Sequence, residues 1–260
     1  MKRVLLKFAL AALVCLPLSA FSAERIKVAC IGDSITYGTG IENRDKDSYP
    51  AQLRSLLGDD YQLRAFGKPG ATLLFRGHRP YVKQQEFSEA MEYCADIAVI
   101  HLGVNDTDPR DWPDYRDDFT GDYLAIIDSL RGRNPLIRII IAVPTPLSHN
   151  HPRFLSGTRD WLADIRNAVR TVSEAAGCEL IDFYSPLHPN IAHFKDGVHP
   201  DEYAAGIMAR VAYSRITGDY GGLSLPEVYS DNMVIQRDTP IHIRGIADAG
   251  ELVSVEFAGM

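Results

Sequence analysis

Five short apolar runs recur along the chain, at Ile26 to Ile31, Gln62 to Phe66, Ile97 to Leu102, Ile137 to Val143 and Glu179 to Phe183. They are strand-like, and the first is rich in β-branched residues, the pattern of a buried strand. Between them the apolar spacing changes to that of helices: Phe119, Tyr123, Ile126, Ile127 and Leu130 share one face, as do Trp161, Leu162, Ile165, Val169 and Val172. A last helix is predicted around Ala204 to Ile216. Strands that alternate with helices pair in parallel through right-handed crossovers, which cover both faces of the sheet. The fold class expected for residues 24–218 is therefore α/β, a three-layer α/β/α domain around a parallel sheet.

Two flanking segments break this rhythm. Residues 1–23 start basic (Lys2, Arg3, Lys7), run apolar from Leu5 to Leu18 and end in the small residues Ser19-Ala20-Phe21-Ser22-Ala23, the layout of a secretory signal peptide. The run is interrupted by Lys7 and Pro17 and is short for a membrane span. Cleavage is expected near Ala20 to Ala23, giving a secreted or periplasmic protein with no membrane segment. A lipid anchor at Cys15 fits less well, because the bulky Val14 precedes it. After Gly218, residues 219–226 read as a linker through Gly221-Gly222-Leu223-Ser224-Leu225-Pro226. Beyond it Ile241-His242-Ile243-Arg244 and Val253-Ser254-Val255-Glu256-Phe257 alternate with the period of strands, with a turn at Ala249-Gly250. Residues 227–260 are expected to be the first strands of a β-module that stops before it buries a core.

Charge narrows the partners. Residues 1–23 carry three positive charges and no negative one, so their removal takes the formal net charge from −7 to −10. A chain this acidic repels nucleic acid and anionic membranes and suits a small or uncharged substrate. The cysteines that remain, Cys30, Cys94 and Cys178, are odd in number and lack CxxC spacing, which argues against a disulfide framework or a zinc site. They are expected to pack as small apolar residues.

The candidate chemistry lies at the ends of the predicted strands, the edge where open α/β sheets bind ligands. The first strand runs into Gly32-Asp33-Ser34, whose hydroxyl needs a neighbouring base before it can act as a nucleophile. The second runs into Phe66-Gly67-Lys68-Pro69-Gly70, where a glycine lets backbone approach a substrate closely. The third ends in His101-Leu102-Gly103-Val104-Asn105-Asp106, whose asparagine amide could face a developing oxyanion. Asp196-Gly197-Val198-His199 follows the fifth strand. An acid three residues before a histidine, in a tight glycine turn, can hold one ring nitrogen while the other faces a serine.

This ordered set of blocks resembles the SGNH (GDSL) hydrolases over essentially all of residues 25–218, and the resemblance implies a flavodoxin-like strand order. It implies Ser34 as nucleophile, His199 as general base and then acid, and Asp196 as its orienter. The implied oxyanion hole is the backbone N–H of Ser34, the backbone N–H of Gly67 and the side chain of Asn105. No metal and no cofactor is implied. A Gly-x-Ser-x-Gly elbow is absent, which sets the chain apart from the ordinary α/β-hydrolases.

The loops resemble those of secreted bacterial carbohydrate esterases, and the tail from Leu225 to Gly245 resembles the opening of sialate O-acetylesterases. Removal of O-acetyl groups from sialic acid is the expected activity, with a glycan O-acetyl ester as substrate. Lysophospholipase, arylesterase or acetylxylan-type activity is the alternative, and a non-catalytic carbohydrate-binding domain is the reading from another class. Asp33, Arg76, Tyr81 and Trp112 are the candidate substrate contacts: Tyr81 and Trp112 as flat faces for a sugar ring, and Arg76, with Arg79, Arg110 or Arg153, as a fork for a carboxylate. His149 and His151 lack a nearby third ligand for a metal. His101 is expected to pack at a strand end.

Overall fold

The computed structural model describes residues 24–148 and 158–225, followed by 229, 233, 240, 242–248 and 250–255. The expected signal peptide, His149, His151, Arg153 and much of the expected β-module lie outside these residues. The five apolar runs form β1 (Ile26–Gly32), β2 (Tyr61–Gly67), β3 (Ile97–His101), β4 (Arg138–Val143) and β5 (Glu179–Asp182). They pair in parallel in the order β2-β1-β3-β4-β5, the flavodoxin-like order expected.

Successive residues of a strand face opposite sides, so β1 feeds two cores at once. Val28 and Cys30 join one cluster, Ala29 and Ile31 the other. The first is closed by α2 (Tyr49–Leu57) and α6 (Glu202–Thr217), the second by α3 (Gln85–Tyr93), α4 (Phe119–Arg133) and α5 (Thr158–Ala176). Helices α2 and α3 were not singled out by apolar spacing. At nine residues each they complete little more than two turns, too few to show a period. The predicted faces of α4 and α5 are buried, including Phe119, Tyr123, Ile126, Ile165 and Val169. Cys30 is buried in its strand, while Cys94 and Cys178 are only partly covered, and all three are free thiols.

A short helix, α1 (Ser34–Tyr37), follows β1 directly. Two glycines let it lie against the strand ends. A Cβ on Gly32 would stand 2.1 Å from Thr36 Oγ1 and 2.6 Å from the His101 carbonyl oxygen, and one on Gly67 would stand 2.3 Å from the Tyr37 nitrogen. No L-residue with a side chain fits at these distances.

Only part of the tail is described. His242 to Arg244 and Val253 to Val255 are described without strand pairing. Instead Ser224 and Ile246 form one antiparallel bridge, and the Asp248 carboxylate accepts the Tyr220 and Gly222 N–H groups at 2.5 and 3.0 Å. Period-two alternation states which face a strand would bury, but a strand exists only where a neighbouring backbone accepts its hydrogen bonds. The turn at Gly250 is present, closed by the Glu251 N–H on the Asp248 carbonyl. Among the described residues no helix is long and apolar enough to cross a membrane.

Gly67→Ala is expected to lower unfolding stability by about 1–3 kcal/mol or more, because the obstructing atoms are helix backbone rather than a movable side chain. Urea denaturation checks this.

Candidate active site

Ser34 is the first residue of α1, just past the end of β1. Asp33 caps this helix, its Oδ1 accepting the Ile35 N–H at 2.9 Å. The serine side chain is almost fully buried, at 6% exposure. The histidine arrives from the opposite end of the chain. Asp196 Oδ1 accepts the N–H groups of Val198 and His199 at 2.9 and 2.8 Å, which curls the Asp196–His199 segment, and Gly197 takes the φ of +84° that the turn requires. The Ser148 N–H donates to the Gly197 carbonyl at 2.8 Å and ties the turn to the segment after β4. On its far side Asp201 caps α6 by accepting from the Tyr203 and Ala204 N–H groups.

Within this frame His199 Nδ1 lies 2.5 Å from Asp196 Oδ2, and His199 Nε2 lies 2.8 Å from Ser34 Oγ. A carboxylate at Nδ1 requires a proton there, which leaves the Nε2 lone pair for the serine hydroxyl. Burial raises the Asp196 pKa, but the hydrogen bonds from the His199 ring and from two backbone N–H groups outweigh it. The carboxyl ends below its ordinary value and stays ionised at neutral pH.

Asn105 stands just after β3, in a single 3-10 turn. Its Nδ2 donates to the Ala71 carbonyl at 3.0 Å and reaches Asp33 Oδ2 at 3.3 Å. The side chain therefore sits between the serine's helix cap and the loop that follows β2. Ser34, Asn105, Asp196 and His199, predicted as site residues, are brought to one rim of the sheet.

The sequence profile of the GDSL-like Lipase/Acylhydrolase family matches residues 30–205. The chain belongs to this family. An acetylxylan esterase of Xylanibacter ruminicola is 32% identical over 209 residues, a match covering 74% of this chain and 43% of that protein. The chain thus spans under half the length of that curated relative. Solved structures agree on the fold. A putative arylesterase from Agrobacterium tumefaciens superposes with a TM-score of 0.60 at 20% identity, covering 74% of this chain and 98% of that one. A carbohydrate acetylesterase family member from Sinorhizobium meliloti gives 0.56 at 19% identity, covering 75% and 99%.

Other expected site residues of this GDSL-like acylhydrolase lie elsewhere. Tyr81 is fully buried, its hydroxyl donating to the Phe66 carbonyl at 2.6 Å, and Trp112 is 3% exposed and packed edge-on against Phe119. Both belong to the core, where aromatic area stabilises most, and neither offers a face to a sugar. Asp33 is also fully buried, so it touches the site's own residues rather than substrate. Arg76 is exposed and lies 3.5 Å from Asp118 and over the Tyr115 ring. Arg110 grips Asp108 with two hydrogen bonds of 2.8 Å, and Arg79 donates to the Pro69 carbonyl.

Gly67 also differs from expectation. Gly32 is its register partner, and the Lys68 N–H donates to the Gly32 carbonyl at 2.9 Å. Neighbouring amides of a strand point to opposite sides, so the Gly67 N–H is turned away from β1, on whose end Ser34 sits. Its missing side chain serves the packing of α1 instead.

One His/Asp group among the described residues, His78, Asp108 and Asp111, is compact enough to suggest a metal. Its atoms are already satisfied by protein: Asp111 accepts from the His78 N–H and contacts Nδ1 at 2.6 Å, and Asp108 is held by Arg110.

Three buried titratable groups flank the site. Burial, opposed by the Ile35 hydrogen bond and reinforced by the charge of Asp106, pushes the Asp33 carboxyl up to about 7. Burial likewise raises Asp106 to about 7, against hydrogen bonds from the Leu74 and Leu73 N–H groups. Burial drives His101 down to about 3, so it packs neutral at the end of β3 with Nε2 accepting the Thr145 N–H at 3.3 Å. An unfolded histidine protonates near 6.5 and the folded one does not, so His101 contributes stability that is full above 6.5 and lost as pH falls toward 3. The raised aspartates act oppositely, lowering stability as pH rises from about 4 to 7. His101→Gln, which does not titrate, is expected to flatten the acid limb of stability between about pH 6.5 and 3 relative to wild type, measured by denaturant unfolding across that range.

Proposed function

We propose that this protein is a serine esterase that removes O-acetyl groups from carbohydrate by way of an acetyl-enzyme on Ser34. The observation that carries this reading is the unbroken hydrogen-bonded line from Ser34 Oγ through both His199 nitrogens to Asp196. In the first half-reaction His199 Nε2 takes the hydroxyl proton as Oγ bonds to the acetyl carbon. Asp196 steadies the imidazolium, which then protonates the departing sugar oxygen. Water repeats the sequence on the acetyl-enzyme, and acetate leaves as Ser34 recovers its proton.

The oxyanion formed in each half-reaction needs donors. The Ser34 N–H is one, being among the first-turn amides that have no partner within their helix. The Asn105 amide is the second. Both of its N–H groups are engaged, and the longer one, 3.3 Å to Asp33, is the one that would turn to the oxyanion. For the third we read the Gly70 N–H in place of Gly67, because the turn carrying Gly70 abuts Asn105 through Ala71.

Among sugars, we favour a neutral glycan over sialic acid. A sialate carboxylate calls for a free cation, yet among the described residues the candidate arginines Arg76, Arg79 and Arg110 are each engaged by protein, Arg153 lies outside those residues, and the chain's net charge is negative. Acetylxylan is the neutral substrate named for the 32% identical relative. Residues 1–23, read as an export signal, would deliver the enzyme to extracellular or periplasmic polysaccharide.

Acetate release from acetylated xylan, O-acetylated sialic acid and 4-nitrophenyl acetate tests the whole reading. Acetylated xylan and the synthetic ester are expected to be hydrolysed, and faster sialate turnover would overturn the neutral-sugar reading alone. Ser34→Ala and His199→Ala are each expected to lower kcat by several orders of magnitude, up to about 10⁶. Near-normal turnover in both would remove the esterase mechanism. A fluorophosphonate probe should label wild type and not Ser34→Ala; an unlabelled wild type would point to a binding module.

A further inference from the structure

The segment Lys68-Pro69-Gly70-Ala71 is a tight turn closed by the Ala71 N–H on the Lys68 carbonyl at 3.0 Å. Gly70 has φ of +77°, the value at the third position of a type II turn, and Pro69 occupies the second. Type I and type II turns share nearly the same ends and differ chiefly in the direction of the central peptide plane. In this loop that plane is the Pro69–Gly70 peptide. Proline at the second position is compatible with both types, so it does not choose between them.

Gly70 itself favours type II, and Arg79 holds the peptide there. Its Nη1 donates to the Pro69 carbonyl at 2.8 Å, from an exposed position on the outer side of the loop. A trans peptide points its C=O and its N–H in opposite directions, and the described residues contain no cis bond. With the Pro69 carbonyl held outward toward Arg79, the Gly70 N–H is directed inward. The next residue, Ala71, ties this loop to the site: its carbonyl accepts from Asn105, which in turn contacts the cap of the Ser34 helix.

The arginine is itself well anchored. The Thr72 N–H donates to the Arg79 carbonyl, and the Tyr81 N–H to the Thr72 carbonyl, both at 2.9 Å. A Cβ on Gly70 would come within 3.2 Å of Arg79 Nη1, so the guanidinium lies directly across the glycine. Among the described residues Arg79 has no carboxylate within ion-pair distance. Its guanidinium is committed to a backbone carbonyl.

We propose that Arg79 is a positioning residue for ester hydrolysis: by gripping the Pro69 carbonyl it locks the Pro69–Gly70 peptide in the orientation that presents the Gly70 N–H to the oxyanion. The inference rests on the proposed esterase reading and adds to it a residue that touches no reacting atom. Without the grip only the preference of Gly70 for the type II turn holds the central peptide, and the oxyanion loses part of one donor. Loss of a whole donor costs about 10² to 10³ in rate, so partial misorientation is expected to cost about tenfold.

The test compares Arg79→Ala, Arg79→Lys and Ser34→Ala with wild type, using 4-nitrophenyl acetate, a substrate too small to reach a separate sugar contact. Arg79→Ala is expected to lower kcat about tenfold with KM unchanged, and to weaken inhibition by a tetrahedral boronic acid by the same factor. Arg79→Lys, which keeps a donor, should recover part of the loss, and thermal melting of each variant should stay near wild type. Should Arg79→Ala melt well below wild type, the comparison moves to Arg79→Lys and Arg79→Gln, whose kcat should then fall in the order of their reach to the carbonyl. Unchanged kcat and boronic acid affinity in Arg79→Ala, with Ser34→Ala inactive, would overturn this inference and leave the esterase reading standing. A rise in KM alone would also overturn it, making Arg79 a substrate contact. Full activity in Ser34→Ala would instead overturn the esterase reading itself.

Discussion

Parallel pairing of β1 with strands on both sides is the constraint from which the site follows. Gly32 stands opposite Gly67 of β2 and opposite His101 of β3, so the three strands end level. The loops that leave them must start from the same rim, and those loops carry Ser34, the Lys68–Ala71 turn and Asn105. Burial of both sheet faces holds the register, because a slip by one residue would exchange the residues of the two cores. Level strand ends also crowd α1 against its neighbours, which is why the ends of β1 and β2 are glycines.

A rim built of irregular loops leaves many backbone amides without a ladder partner, and buried amides need one. Here carboxylates supply it. Asp106 accepts from the Leu73 and Leu74 N–H groups, Asp122 from Phe75 and Asp111 from His78. Four amides of one loop are thereby fixed from the segment after β3 and from α4. The cost appears in the electrostatics: burial raises both Asp33 and Asp106, and the charge of Asp106 adds to the rise at Asp33 as that of Asp111 does at Asp106. Both nonetheless hold the framework around Asn105 and Ser34, where loop precision matters most to catalysis.

The same logic reassigns the polar and aromatic residues around the rim. Residues that suggest sugar contacts by type, Tyr81 and Trp112, are the ones that close the core beneath the loops. The arginines that suggest carboxylate recognition hold protein acceptors: Arg110 holds Asp108, Arg79 holds Pro69. What remains at the rim among the described residues is the hydrogen-bonded relay of Ser34, His199 and Asp196.

Strand runs such as Ile97 to His101 and helical faces such as Phe119 to Leu130 were legible in the sequence, because burial on a fixed period leaves a direct mark on residue choice. From those elements the parallel sheet followed, its order came with the resemblance to the SGNH hydrolases, and together they placed the rim where Ser34, Asn105, Asp196 and His199 gather. These four carry chemistry that few other residues supply, so their type and order spoke for themselves. Tertiary structure alone decided the rest. Whether Tyr81 faces a sugar or the core depends on which loop covers it, and whether the Gly67 N–H serves the site depends on the direction its strand register assigns. The hold of Arg79 on Pro69, ten residues away, joins two points of one folded loop. Single residues carry no trace of such contacts, since a contact belongs to two segments at once and only their packing brings it about.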